Sequence, residues 1–144
     1  MSIKSMMGTI YELTSSPITL WADQFSPVMT FNSLNNIPYN GFWYSPINAI
    51  GNSITCNFNL SPGSYKLNIS SIGEYDAANV GIYIDNILIG TFDEYSASAT
   101  LLNQSYTVNL NTYNHILSLV SIGKNVSSSA YYTYLGKITF IPLA

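Results

Sequence analysis

One imidazole and one thiol bound the chemistry open to this sequence. His115 is the only histidine and Cys56 the only cysteine. Any Ser-His-Asp or Cys-His nucleophile must therefore draw on His115. It opens an apolar-alternating run, Asn114-His115-Ile116-Leu117, with no strained nucleophile turn beside it, and reads as a hydrogen-bonding histidine at a turn. A His/Cys zinc site fails by count. Cys56 lies in Ser53-Ile54-Thr55-Cys56-Asn57-Phe58 and reads as a buried thiol, without an intrachain disulfide partner. The acids number seven. Asp93 and Glu94 adjoin, and Glu74 and Asp76 flank Tyr75. Glycoside hydrolysis needs two carboxylates facing each other across a sugar, and no arginine or second histidine is present to tune such a pair. Calcium takes oxygen ligands of the kind Asp76 or Asp93 offers, but their spacing matches no calcium loop. The expectation is a chain with no catalytic residues, no metal and no cofactor.

What remains is aromatic. Twelve tyrosines and two tryptophans exceed what one core face can hold. Tyrosine and tryptophan join a large apolar body to a polar tip, which suits interfaces and stacking on sugar rings. Tyr39, Trp43, Tyr75, Asp76 and Tyr95 stand in or beside expected loops, and form the candidate glycan- or partner-binding set. Trp21, within Ile18-Thr19-Leu20-Trp21, is expected to face inward.

The elements that must position these residues are strands. Apolar and polar residues alternate with period two over Thr9–Leu13, Ile18–Ala22, Val28–Asn32, Gly41–Tyr44, Ser53–Leu60 and Ser64–Ser70. The pattern continues over Val80–Ile84, Ile87–Phe92, Tyr106–Leu110, Ile116–Ile122 and Tyr131–Ile141. Val, Ile, Thr and Tyr fill these segments, as a half-buried pleated surface requires, and no segment carries a helical period over three turns. Two hairpins are expected. One turns at Ser61-Pro62-Gly63 and the other at Asp85-Asn86, where a primed turn needs residues that tolerate positive φ. Gly90-Thr91-Phe92-Asp93 is expected to leave the sheet. The spacing predicts a single all-β domain, an antiparallel β-sandwich over residues 9–144, with residues 1–8 as an N-terminal arm.

Composition excludes several classes. Charged residues are 8% of the chain and the net charge is −3, so the basic stripe that nucleic acid demands is missing. A hydrophobic content of 47% argues against disorder. No apolar run approaches the roughly 20 residues of a membrane-spanning helix, and the first residues lack a signal-peptide core.

From about Asn57 onward the chain resembles galactose-binding-like jelly-roll domains. The residues that carry this are Gly63-Ser64-Tyr65-Lys66-Leu67, Gly81-Ile82-Tyr83-Ile84-Asp85-Asn86, Ile89-Gly90-Thr91-Phe92-Asp93-Glu94-Tyr95-Ser96 and His115-Ile116-Leu117-Ser118-Leu119-Val120, then Tyr132-Thr133-Tyr134-Leu135 and Ile138-Thr139-Phe140. Tyr113 stands where such domains often carry glycine. The resemblance implies a jelly-roll β-sandwich of the kind found as accessory carbohydrate-binding modules and in phage and viral fibre, tail and capsid-associated proteins. With the low charge and many Tyr and Asn, it leads to the expectation of a non-catalytic virion structural protein: a head decoration, fibre or tail component assembled in the host cytoplasm. Such a protein would form a homotrimer and dock on other virion proteins, without nucleic acid or membrane insertion. The alternative expectation is a carbohydrate-binding or host-receptor recognition module.

Overall fold

The computed structural model describes residues 17–27, 30–32, 42–45 and 47–143. The expected arm, the strand Thr9–Leu13 and Tyr39 lie outside the described residues. Strands form where the alternation is read: β1 (Ile18–Trp21), β2 (Thr30–Asn32), β3 (Phe42–Tyr44), β4 (Ser53–Asn59), β5 (Gly63–Gly73), β6 (Asn79–Ile84), β7 (Ile87–Asp93), β8 (Thr100–Leu110), β9 (Asn114–Gly123), β10 (Tyr134–Leu135) and β11 (Lys137–Pro142). One three-residue 3₁₀ turn, Ala22–Gln24, follows β1.

Two four-stranded sheets, β1-β11-β5-β8 and β4-β9-β6-β7, stack face to face, and a small sheet β10-β3-β2 adds to them. Every strand pairing among the described residues is antiparallel. From β4 on, the chain passes repeatedly between the two large sheets, and this is the jelly-roll path. Alternate residues of each strand point inward. Leu67, Ile69, Ile138 and Phe140 of the first sheet meet Ile54, Ile82, Leu117 and Leu119 of the second, all at most 1% exposed. Cys56 is buried among them, as expected, and burial pushes its thiol pKa up.

Three local expectations change. Ser61-Pro62-Gly63 does not close a hairpin. β4 pairs with β9, while β5 pairs with β11 and β8, so the turn carries the chain from one sheet to the other. Turn chemistry fixes the local bend and not the partner of the strand that follows. The Gly90–Asp93 segment stays in its sheet, with Val80↔Phe92 and Asn79↔Asp93 in register. Gly90 serves a different purpose there: a Cβ would come within 2.3 Å of the Tyr106 ring, so its absence lets Tyr106 of β8 lie on β7 where the two sheets approach. Trp21 faces out, 54% exposed. Leu20 takes the core position on that short strand, and the adjacent residue must then project to the other side.

The Asp85-Asn86 hairpin forms as expected. Both residues have positive φ, 52° and 67°, the signature of a primed turn.

Candidate functional site

At one end of the sandwich three connections meet: the turn after β5, the segment after β7 and the stretch from β9 to β10. Glu74 pairs with Tyr95 and Ala77 with Tyr132 as isolated parallel bridges. Glu74 N–H donates to the Glu94 carbonyl (3.1 Å), Ser96 N–H to the Glu74 carbonyl (3.1 Å) and Ala78 N–H to the Tyr132 carbonyl (2.8 Å). Ser129 N–H reaches the Tyr75 carbonyl (3.0 Å) and Tyr132 N–H the Asp76 carbonyl (3.1 Å). The buried Ser128 hydroxyl donates toward the Ala77 carbonyl at 2.7 Å. Loops that spend their backbone groups on one another in this way are preorganised.

The side chains at this end divide into a buried acid layer and an outer aromatic layer. Glu94 is fully buried, and its Oε1 accepts the Tyr134 N–H at 2.8 Å. Tyr134 is also buried, and its hydroxyl donates to Asp76 Oδ1 at 2.8 Å. Burial, reinforced by the Asp76 hydrogen bond and the Asp76 and Glu74 charges, pushes the Tyr134 phenol pKa up, so it stays a donor. Asp76 Oδ2 makes no hydrogen bond among the described residues. Outside this layer Tyr75 is 58% exposed, while Tyr95, Tyr131 and Tyr132 are half-buried. Lys124 Nζ lies 5.7 Å from the Tyr131 ring centre and donates to the Ser128 carbonyl at 2.9 Å. Tyr132 meets Tyr44 edge-on at 5.3 Å.

Of the five expected site residues, this end brings Tyr75, Asp76 and Tyr95 together through the Glu74↔Tyr95 pairing. Trp43 is elsewhere. It sits on β3, half-buried and packed against the main core, so it is no loop aromatic. Lys124 and Tyr131 were not singled out from sequence. Only the fold carries the stretch after β9 to the β5–β6 turn.

The side chains at this end offer stacking faces and hydrogen-bonding groups. His115 is engaged away from the aromatic end: Nδ1 lies 2.8 Å from Asp85 Oδ2 and Nε2 lies 2.8 Å from the Thr112 carbonyl. Its ring stacks on Phe58 at 5.1 Å. The adjacent acids Asp93 and Glu94 point to opposite sides. Asp93 is exposed and accepts the Tyr95 N–H (2.8 Å) and the Asn125 amide (2.9 Å), while Glu94 is sealed inside. They do not face each other across an open cleft. Among the described residues no group of three His, Cys, Asp or Glu side chains converges as a metal site.

No protein-family model matches the sequence, and no curated protein matches it either. Solved structures do share the fold. A family 35 carbohydrate-binding module from Clostridium thermocellum superposes with a TM-score of 0.63 at 21% identity, over 89% of this chain and 99% of that one. A family 36 carbohydrate-binding module in complex with calcium and xylotriose gives 0.55 at 14% identity, over 85% and 98%. A Paenibacillus xanthan lyase gives 0.63 at 17% identity over 91% of this chain, which spans only 12% of that much longer protein. The fold is the jelly-roll β-sandwich of carbohydrate-binding modules, as the sequence resemblance implied.

Proposed function

We propose that the chain is a non-catalytic polysaccharide-recognition module that holds a glycan at its aromatic end. The carrying observation is Tyr75, a largely exposed ring on a turn whose backbone is tied down on both sides. An exposed aromatic face held rigidly stacks on the C–H face of a pyranose at little entropic cost. Asp76 Oδ2 and the Tyr95 hydroxyl supply acceptors and a donor for sugar hydroxyls. The full-length structural neighbours support the reading, since the modules that this chain matches end to end are carbohydrate-binding ones. The test is a panel of xylan-, mannan- and galactan-derived oligosaccharides, run with and without calcium. Tyr75→Ala is expected to weaken the best ligand at least tenfold, about 1.4 kcal/mol, with the β-sheet circular-dichroism spectrum unchanged. A panel without a single ligand would refute the proposal, as would Tyr75→Ala and Tyr95→Ala variants that both bind like the parent.

A second reading, a self-associating virion subunit, draws support from the outer face of the β4-β9-β6-β7 sheet. Tyr83, Leu88 and Ile122 close over Gly81, where an added Cβ would lie 3.0–3.7 Å from them. Ile116 (50% exposed) extends the same apolar surface. Apolar patches of this kind mark protein contacts. Light scattering on the purified chain is expected to show an oligomer, a trimer by this reading, that Leu88→Asp dissociates. A strict monomer at high concentration rules the reading out.

A further inference from the structure

The outer face of the β1-β11-β5-β8 sheet carries a second, differently built surface. The register sets Trp21, Lys137, Ser70 and Asn103 in one row across all four strands. Thr19, Thr139, Asn68 and Ser105 form the next row, tied by an Asn68–Ser105 hydrogen bond of 2.6 Å. A trough of about 550 Å³ follows these rows, and a smaller hollow of about 150 Å³ continues it, the two sharing Lys66 and Ser105. Among the described residues no acidic side chain lines either one. Neither Lys66 nor Lys137 has an ion-pair partner among the described residues. The Lys137 ammonium instead sits 5.3 Å from the centre of the exposed Trp21 ring.

We propose that this face binds an extended polysaccharide that bears carboxylate groups at intervals along its chain. Three features select that chemistry. In a protein of net charge −3, two ammonium groups without an ion-pair partner among the described residues, on a face whose described lining holds no acidic side chain, favour an anion, and ammonium-to-carboxylate hydrogen bonds are the strong ones. The two lysines are offset by four residues along the strands and by one strand across, so their Cα atoms stand about 14 Å apart. That spacing suits charges on separate units of a polymer rather than one small anion. Between them lie amides and hydroxyls, donors and acceptors together, with Trp21 at the edge as a stacking surface. Nucleic acid is a poor fit, because two cations neutralise too few phosphates. The surface is distinct from the Tyr75 end and stands whether or not the proposal for that end holds.

The experiment is affinity electrophoresis of the full chain in gels containing polygalacturonate, with methyl-esterified polygalacturonate and polyglutamate as reference polymers. Polygalacturonate is expected to retard the chain, and the esterified polymer much less. The Lys66→Gln/Lys137→Gln double variant should bind at least about tenfold more weakly. Raising the salt to about 0.5 M should weaken parent binding by a similar factor, and Trp21→Ala should weaken it to a smaller degree. The proposal is overturned if polygalacturonate does not retard the folded parent or if the ester binds equally well. It also falls if polyglutamate binds as tightly, which would mean charge alone, or if the lysine pair can be replaced without loss of retardation.

Discussion

Phe140→Ala lowers the free energy of unfolding by about 3–5 kcal/mol, the range for deleting a fully buried phenylalanine. Phe140 has no exposed surface and sits near the middle of β11. Its ring stacks on Phe58 of the opposite sheet, centroids 4.9 Å apart and planes at 25°, and Tyr65 of the neighbouring strand meets it edge-on at 6.5 Å. Phe58 stacks in turn on His115. The ring is thus the middle of an aromatic column that joins the two sheets. β11 is paired on both sides, by β1 and β5, so the backbone cannot move in to fill the cavity. A domain of ordinary stability holds about 5–15 kcal/mol, and one truncation removes a large share of it. Ile141→Ala is the control. It lies one residue on, faces the other way and is 37% exposed, and surface changes of this kind stay within about 0.5–1 kcal/mol. Urea unfolding midpoints compare the two. Equal losses would mean that the inward–outward alternation assigned to β11 is wrong.

That alternation was the part of the fold most legible in the sequence. Ser64 to Ser70 shows Tyr65, Leu67 and Ile69 interleaved with Lys66 and Asn68, and the structure buries the first set and turns the second outward. The Asp85-Asn86 turn was legible for a local reason, since few residue pairs accept two positive φ angles in succession. What stayed hidden depended on pairing. Ser61-Pro62-Gly63 announces a bend, but nothing in it says that the next strand belongs to the other sheet. Leu20 and Trp21 are both apolar, so hydrophobicity alone could not decide which takes the core. Tyr75, Asp76 and Tyr95 were recognisable as loop residues near other acids and aromatics. Lys124 and Tyr131 joined them only through the long connection from β9 to β10. The trough on the open sheet face is the clearest case. Lys66 and Lys137 are 71 positions apart in sequence, and only the antiparallel register of β5 with β11 places them on one surface.

Asp93 and Glu94 adjoin in sequence, and the fold makes them opposites with a measurable consequence. Glu94 follows Phe92 by two residues, shares its inward direction and has no exposed surface. Burial pushes its carboxyl pKa well above the usual carboxylate range, and the Asp93 charge adds to this, against the Tyr134 N–H. Ser71 also lies near enough to favour the charged form, yet its Oγ and Glu94 Oε2 make no hydrogen bond of ordinary geometry. The folded chain therefore keeps a proton that the unfolded chain releases near pH 4.3. Glu94's contribution is fully present below that value. It declines as pH rises, at up to about 1.4 kcal/mol per pH unit, until the buried carboxyl ionises. Asp85 has the opposite sign. Burial works against its charge, but the His115 hydrogen bond, the Ile116 N–H at 2.9 Å and the His115 charge outweigh it and hold the carboxyl below its ordinary value. Its contribution is present above about pH 3.9 and disappears as pH falls through the lowered value. The two limbs set a stability maximum at mildly acidic pH. Glu94→Gln keeps the shape and an acceptor for the Tyr134 N–H while removing the proton. Its urea midpoint should stay flat where the parent's falls as pH rises above about 5, with the acid limb intact. A parent curve that rises over that interval, or a variant curve that runs parallel to it, would show that the buried carboxyl does not hold its proton in the fold.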